Sequence, residues 1–316
     1  MTVNTTERTY GDVTYWQRYE AQLPAEFRLT TEHPEEERWQ WGDTSVHVDR
    51  LPAPNAPLKL LLVHGIGGYG RIVLGFGAPF RPQLCEVVAP DLPGYGLTPV
   101  TKEPLVFSTW VSCVTDLVDR ELRRDNRPVV LFGLSLGGIV AYHAACTAPI
   151  RGLLATALID MTDPEVAAGV SRYQLVSRFT LPLLRRIPSR FDETRIPVRH
   201  LGRIHAISND AELSRLVAGD PCGGRTNLPL SFLKSIMTTA PAVAPEAFRR
   251  CPVLLVHPGA DQMTQITFSR RFFDRLAAPK RLAILDQAGH WPIEEPGATQ
   301  MRKEVRTFLE NLERVA

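Results

Sequence analysis

Leu131-Phe132-Gly133-Leu134-Ser135-Leu136-Gly137-Gly138 decides the fold. The apolar residues 128–132 read as a strand, and the small-residue run 137–145 reads as a helix. Between them lies Gly-x-Ser-x-Gly, the spacing of a sharp strand-to-helix turn with a serine at its apex. Such a turn forces the serine into a strained backbone conformation. Bulk at Gly133 or Gly137 would collide with the neighbouring chain. The hydroxyl is then held out at a helix N-terminus, with the N–H of Leu136 aimed at whatever the serine attacks. A chance glycine-rich turn is the bland alternative, and the flanking strand and helix argue against it.

Outward from the turn, the apolar runs 58–63, 86–89, 128–132, 153–159, 253–256 and 281–285 read as strands buried on both faces. Helical patterns at 109–124, 137–147, 267–276 and 298–312 separate them. Alternating strand and helix imply a parallel sheet with helices on both faces, and ligands bound beyond the carboxyl ends of the strands. Residues 38–48 read as a hairpin turning at Gly42-Asp43. Residues 1–36 are polar with scattered aromatics, and are expected to form an N-terminal extension, partly helical around Trp16 to Gln22, packed on the surface. The alternation breaks between Asp160 and Cys251, where helices are expected at 164–179, 210–218 and 230–239. A segment that leaves and rejoins the sheet at strand ends should roof them. The expected organisation is an extension (1–36), a core (37–160 and 251–316) and a helical cap (161–250).

A serine needs a base within hydrogen-bond reach, and the base needs an orienting acid. His290, in Gln287-Ala288-Gly289-His290-Trp291-Pro292 after the last apolar strand, is the expected base, with His257 as runner-up. His33, His47, His200 and His205 read as surface residues, and His143, on the helix after the turn, is explained by packing or solvent exposure. Asp261 follows strand 253–256 on a tight loop and is the expected acid. Asp160, at the end of the preceding strand, is the alternative acid; Asp286 lies too far along the same strand as His290. Oxyanion donors are expected from the N–H of Leu136 and of Ile66, with Gly67 second, in His64-Gly65-Ile66-Gly67-Gly68-Tyr69-Gly70. His64 itself reads as a loop-organising side chain. The glycine run lacks dinucleotide spacing.

These pieces, with Asp91-Leu92-Pro93-Gly94-Tyr95-Gly96 and Gly259-Ala260-Asp261, resemble the α/β-hydrolase fold superfamily and occur in its order from residue 38 to 313. The resemblance implies an α/β class fold, a mostly parallel eight-stranded sheet flanked by helices with an inserted helical cap. Serine at position 135 separates the chain from the epoxide hydrolases and haloalkane dehalogenases, which use aspartate there. Cap length and Cys251-Pro252-Val253-Leu254-Leu255-Val256-His257 are most similar to the monoacylglycerol lipase, lysophospholipase and serine aminopeptidase branch. Gln265 departs from that branch, which commonly has proline there, and the N-terminal extension is longer than usual.

The implied activity is hydrolysis of carboxylic esters of apolar acyl groups through an acyl-serine. The alternatives are cleavage of a peptide, thioester or carbon–carbon bond, or a non-catalytic binding protein on the same fold. No cofactor or metal is expected, since histidines and cysteines show no ligand spacing. Apolar cap residues Leu175, Phe179, Leu181, Leu183, Leu184, Phe232 and Leu233 could line an acyl pocket or pack the cap onto the core. Eight arginines against two acids between Arg172 and Arg203 could attract anionic headgroups at a membrane surface or an anionic substrate, although a merely solvated helix face is the preferred reading. A net charge of +2 gives no field for nucleic acid. No apolar run reaches the length of a membrane span. Five cysteines without paired spacing and a polar start that lacks signal-peptide order point to the cytoplasm. The natural ester and the oligomeric state stay open at this stage.

Overall fold

The apolar runs become the centre of an eight-stranded sheet. The computed structural model describes residues 8–100, 103–171, 173, 183–184 and 186–314. In it β1 (Glu35–Trp41), β2 (Thr44–Leu51), β3 (Leu58–Val63), β4 (Cys85–Pro90), β5 (Val129–Gly133), β6 (Gly152–Ala155), β9 (Val253–Pro258) and β10 (Lys280–Leu285) lie in the order β1-β2-β4-β3-β5-β6-β9-β10. β2 is antiparallel to both its neighbours, β1 and β4. From β4 to β10 every pairing is parallel. The mostly parallel, eight-stranded architecture expected from the sequence is therefore the one observed. β3, β4, β5, β6 and β9 are buried along their whole length, which is why they read as unbroken apolar runs.

Helices cover the sheet: α1 (Gly70–Leu74), α2 (Phe107–Asp125), α3 (Leu136–Ala145), then, after the insertion described below, α7 (Ile266–Phe273) and α8 (Gly297–Arg314). α8 buries Ala298, Met301, Val305, Leu309 and Leu312, a stripe at helical spacing. α3 is buried on every side. Its small residues allow this, because bulk would push the helix off the sheet. Between β6 and β9 the chain carries α4 (Pro164–Val170), α5 (Ala211–Gly219) and α6 (Leu230–Ile236). Asp163 and Asp210 start α4 and α5 by accepting backbone N–H bonds. The expected helix at 164–179 is observed as far as Val170; residue 172 and residues 174–182 lie outside the described residues. The insertion is not wholly helical, since β7 (Arg195–Pro197) and β8 (Asn227–Pro229) form a small antiparallel pair.

The N-terminal segment departs from expectation. It does not merely coat the surface: Tyr10, Trp16, Tyr19, Phe27 and Leu29 belong to the core. Its tyrosines reach polar partners while burying their rings, which suits an amphipathic side chain. Tyr10 Oη donates to Asp91 Oδ2 at 2.7 Å. Tyr19 Oη and Tyr69 Oη both donate to Asp220 Oδ2, at 2.7 and 2.9 Å. Tyr15 Oη donates to the carbonyl of Leu216 on α5 at 2.9 Å. The segment thus ties the sheet to the β6–β9 insertion.

Asp91, in the Asp-Leu-Pro-Gly-Tyr-Gly motif, is the hub of this region. Besides Tyr10 it accepts the N–H of Gly70 at 2.6 Å and of Leu97 at 2.7 Å. His47 also faces it, at 3.3 Å. The reading of His47 as a surface residue is therefore corrected: it is buried. Burial alone would lower its pKa, but the carboxylates of Asp91, Glu36 and Asp49 outweigh burial and raise it to about 9.

Removing the phenol of Tyr10 leaves a buried carboxylate short of one donor. The Tyr10→Phe variant should lose about 1.5–3 kcal/mol of stability, the usual worth of a hydrogen bond to a charged group. Urea unfolding of the two proteins measures this, and equal midpoints at equal slope would contradict it.

Candidate active site

The turn after β5 carries Ser135 at φ 54° and ψ −127°, a conformation rare for any residue with a side chain. Close backbone approach enforces it. A Cβ on Gly133 would lie 2.2 Å from the carbonyl oxygen of Gly137, and one on Gly137 would lie 2.0 Å from that of Val63. A Cβ on Gly138 would meet the Ala157 carbonyl at 2.0 Å. These contacts press α3 against β3 and β6, so the chain between β5 and α3 must bend sharply at residue 135. The Ser135 N–H donates to Thr156 Oγ1 at 2.8 Å, which anchors the strained residue to the end of β6.

Strand ends bring the remaining groups to the same rim. His290, beyond β10, places Nε2 2.8 Å from Ser135 Oγ. Asp261, beyond β9, places Oδ2 2.8 Å from His290 Nδ1. Asp261 also accepts the N–H groups of Met263 and Thr264 on Oδ1, at 2.7 and 2.8 Å. Thr264 Oγ1 donates to its Oδ2 at 2.6 Å. Burial would raise the Asp261 pKa; His290 and these donors outweigh it and hold the carboxyl down at about 2. An ionised carboxylate only accepts, so Nδ1 of His290 carries the proton and Nε2 is left to accept from the Ser135 hydroxyl. His290 and Asp261 are both buried.

The three residues singled out from sequence therefore meet in a chain of two hydrogen bonds. Asp160 is elsewhere engaged, accepting the N–H and hydroxyl of Thr162 on Oδ1 at 2.9 and 2.6 Å. His257 turns its Nδ1 to the carbonyl of Pro258 at 2.9 Å. Asp286 pairs with Gln300. Thr156 and Thr264 are site residues that the sequence reading passed over. Thr264, three residues beyond Asp261 and at the end of a turn, carried a faint local signal; Thr156 carried none, because its partner lies 21 residues away.

The loop after β3 closes the site from the other side. Gly65 packs so tightly that a Cβ there would stand 3.0 Å from the Leu134 carbonyl oxygen and 3.1 Å from the Leu136 nitrogen. His64 fixes this loop. Its Nδ1 lies 2.8 Å from the Gly65 carbonyl, and its Nε2 accepts the Leu92 N–H at 2.9 Å. One ring nitrogen must donate and the other accept, which requires neutral imidazole. Burial accordingly lowers its pKa to about 4.

Among the described residues, two spaces open beside Ser135. The larger, about 260 Å³, lies under the β6–β9 insertion, with Ile159, Met161, Val170, Leu201, Leu233 and Ile236 in its wall. Leu184 and His200 reach it too, His200 from the exposed position read for it in the sequence. The other is about 20 Å³ and has Ile207, His290 and Trp291 in its wall. Of the apolar insertion residues noted in sequence, Leu184 and Leu233 line the larger space. Phe232 packs on Trp110, Leu183 is exposed, and Leu175, Phe179 and Leu181 lie outside the described residues.

A model of the alpha/beta hydrolase family matches residues 60–299. Lipase LipV of Mycobacterium tuberculosis is 35% identical over 131 residues, which is 42% of this chain and 46% of that protein. Protein phosphatase methylesterase 1 of Mus musculus is 35% identical over 118 residues, covering 36% of this chain and 30% of that protein. The chain thus matches less than half the length of these curated relatives. A crystal structure of a soluble variant of monoglyceride lipase from Saccharomyces cerevisiae superposes with a TM-score of 0.71 at 17% identity, over 92% of this chain and 98% of that one. That likeness is one of fold.

His64 makes the loop after β3 sensitive to acid. A depressed histidine pKa means that its contribution to stability is present above the unfolded value, near 6.5, and is lost as pH falls toward 4. The stability gap between the wild type and His64→Gln should therefore narrow between pH 7 and pH 4.5 in urea unfolding. A gap that widens on acidification would contradict neutral, loop-bound His64.

Proposed function

Because the chain belongs to the alpha/beta hydrolase family, by the match of its model over residues 60–299, we propose that it is a serine hydrolase of the carboxylesterase and monoacylglycerol-lipase kind. Its substrates are carboxylic esters of apolar acyl groups, and it works through an acyl-serine intermediate. The observation that carries this reading is the unbroken hydrogen-bond chain from Ser135 Oγ through His290 to Asp261, each link 2.8 Å. His290 Nε2 takes the hydroxyl proton as Ser135 Oγ attacks the ester carbonyl, and Asp261 stabilises the imidazolium that forms. Negative charge on the carbonyl oxygen meets the N–H groups of Leu136 and Ile66, with Gly67 as the alternative to Ile66. The imidazolium gives its proton to the departing alcohol. Water, deprotonated by the same imidazole, then attacks the acyl-serine and releases the acid. Every step uses side chains and backbone of the chain itself, so the chemistry calls for no cofactor.

Strain at Ser135 supports the same reading. Backbone held in a sparsely populated region costs roughly 1–3 kcal/mol and persists where the surrounding structure over-determines it. Here the strain exposes a hydroxyl to a base. The apolar wall of the 260 Å³ space supports an apolar acyl group. Among the described residues that line it there is no carboxylate, which disfavours an aminopeptidase, since that would need an acid to hold the substrate amine. The segment 161–250 acts as the cap that excludes water from the acyl group. Its arginines would favour contact with anionic headgroups, and the chain works in the cytoplasm. Among the described residues no helix is long and apolar enough to cross a membrane.

A fluorophosphonate probe should label the wild type on Ser135 and fail to label Ser135→Ala. Asp261→Asn should lower kcat by about 10⁴, the loss seen when the orienting acid of a triad is neutralised. Asp160→Asn should leave kcat within a few-fold of the wild type. Steady-state kinetics with a methyl ester series measures both, and greater damage from Asp160→Asn would assign the acid to residue 160.

A further inference from the structure

The unequal spaces on the two sides of Ser135 bear on the alcohol half of the ester. In the acyl-forming step the bond from carbonyl carbon to alcohol oxygen breaks, and that oxygen takes a proton from His290 Nε2. The departing oxygen must therefore lie on the side of Ser135 that His290 faces. Ser135 and Ile66 border both spaces, so a carbonyl at the serine hydroxyl reaches into each. Of these two spaces, His290 borders the 20 Å³ one and Leu136 the 260 Å³ one. The acyl chain then occupies the larger space and the alcohol the smaller.

A space of about 20 Å³ is little more than one water molecule needs. Beyond the ester oxygen it accepts about one methyl group. Its walls are poorly placed to yield. One side is the Gly65–Gly68 backbone, drawn in by the Gly68 N–H bond to the Gly65 carbonyl at 3.1 Å. Val73 on α1 is buried. Ile207, from the β6–β9 insertion, is fastened to Trp291, its carbonyl accepting the Trp291 N–H at 2.7 Å. The Trp291 ring is wedged between Tyr19 and Phe76, with centroids 5.7 and 6.2 Å away. The N-terminal segment thus braces one wall through Tyr19.

We propose that Val73, Ile207 and Trp291 restrict the leaving group to a very small alcohol, so that the preferred substrates are methyl esters of apolar carboxylic acids. This rests on the ester-hydrolase reading above and adds the size of the alcohol to it. Hydrolysis then converts ester and water into the free acid and methanol, through an acyl-serine formed as the alcohol leaves. A reaction upstream would have to supply a methylated carboxyl group on an apolar chain.

Initial rates of acid release from methyl, ethyl, butyl and glyceryl octanoate, followed by pH-stat, test the proposal without needing a coloured leaving group. The methyl ester should exceed the butyl and glyceryl esters in kcat/KM by at least about tenfold, the lower end of what one excess methylene costs in a fitted pocket. Ile207→Ala should raise the butyl-to-methyl ratio by about tenfold. Val73→Ala, in the wall of the same space, should move the ratio in the same direction and serves if the first variant folds poorly. Butyl or glyceryl esters cleaved within twofold of the methyl ester by the wild type would overturn the small-alcohol assignment while leaving the esterase reading intact. Failure to cleave any of the four, together with no fluorophosphonate labelling of Ser135, would overturn both.

Discussion

The backbone contact between α3 and the sheet governs the rest of the site. Gly133, Gly137 and Gly138 let helix and strands approach so closely that any side chain at these positions would overlap a carbonyl. The chain can make that approach only by bending at residue 135, and the bend sets Ser135 at φ 54°. Strain there is confined to one residue and offset by hydrogen bonds on both sides of it. The Leu134 N–H donates to the Val63 carbonyl at 2.9 Å, and the Ser135 N–H to Thr156. Tight packing thus does the work of aiming a hydroxyl.

Parallel strands make the remaining geometry follow. Since β3, β5, β6, β9 and β10 all run the same way, the loops after them lie along one rim of the sheet. That rim collects His64, Ser135, Thr156, Asp261 and His290, which are far apart in sequence. Each is then held by local bonds rather than by the site itself. Asp261 is fixed by the turn it starts, His64 by Gly65 and Leu92, and Trp291 beside His290 by Ile207 and Tyr19. The result is preorganised: proton positions on both histidines are dictated by neighbours before any substrate arrives.

Most of the core and the Ser135–His290–Asp261 chain were legible because they depend on local patterns. Unbroken apolar runs mark doubly covered strands, and Gly-x-Ser-x-Gly marks a bend that few other residues could make. Aspartate and histidine immediately beyond apolar strands had to fall on the rim. What was missed depends on distant partners. Thr156 looks like any strand-end threonine until Ser135 is brought beside it. His47 looks exposed in sequence because histidine is polar, and only the convergence of Asp91, Glu36 and Asp49 makes a buried, charged position tolerable. Apart from a short helical stretch around residues 16–22, the aromatics of the N-terminal segment carried no sustained period, so how deeply they are buried could not be read from spacing. The small β7–β8 pair was hidden for a similar reason, being three residues per strand and bounded by prolines.

The same constraints make the two sides of the serine unequal. The larger space is walled by side chains of the inserted segment, which can differ without disturbing the sheet. Much of the smaller is walled by the glycine loop, α1 and Trp291, which are bound into the core. On the proposed function, acyl and alcohol selectivity would be set by different parts of the chain. That proposal depends on a covalent bond forming at one oxygen. Rapid acid quenching during turnover of methyl octanoate, followed by peptide mass analysis, looks for that bond directly. The expected result is an octanoyl group on the peptide containing Ser135, absent in the Ser135→Ala protein. Octanoyl carried by another residue, or continued turnover by Ser135→Ala, would contradict acyl-serine chemistry.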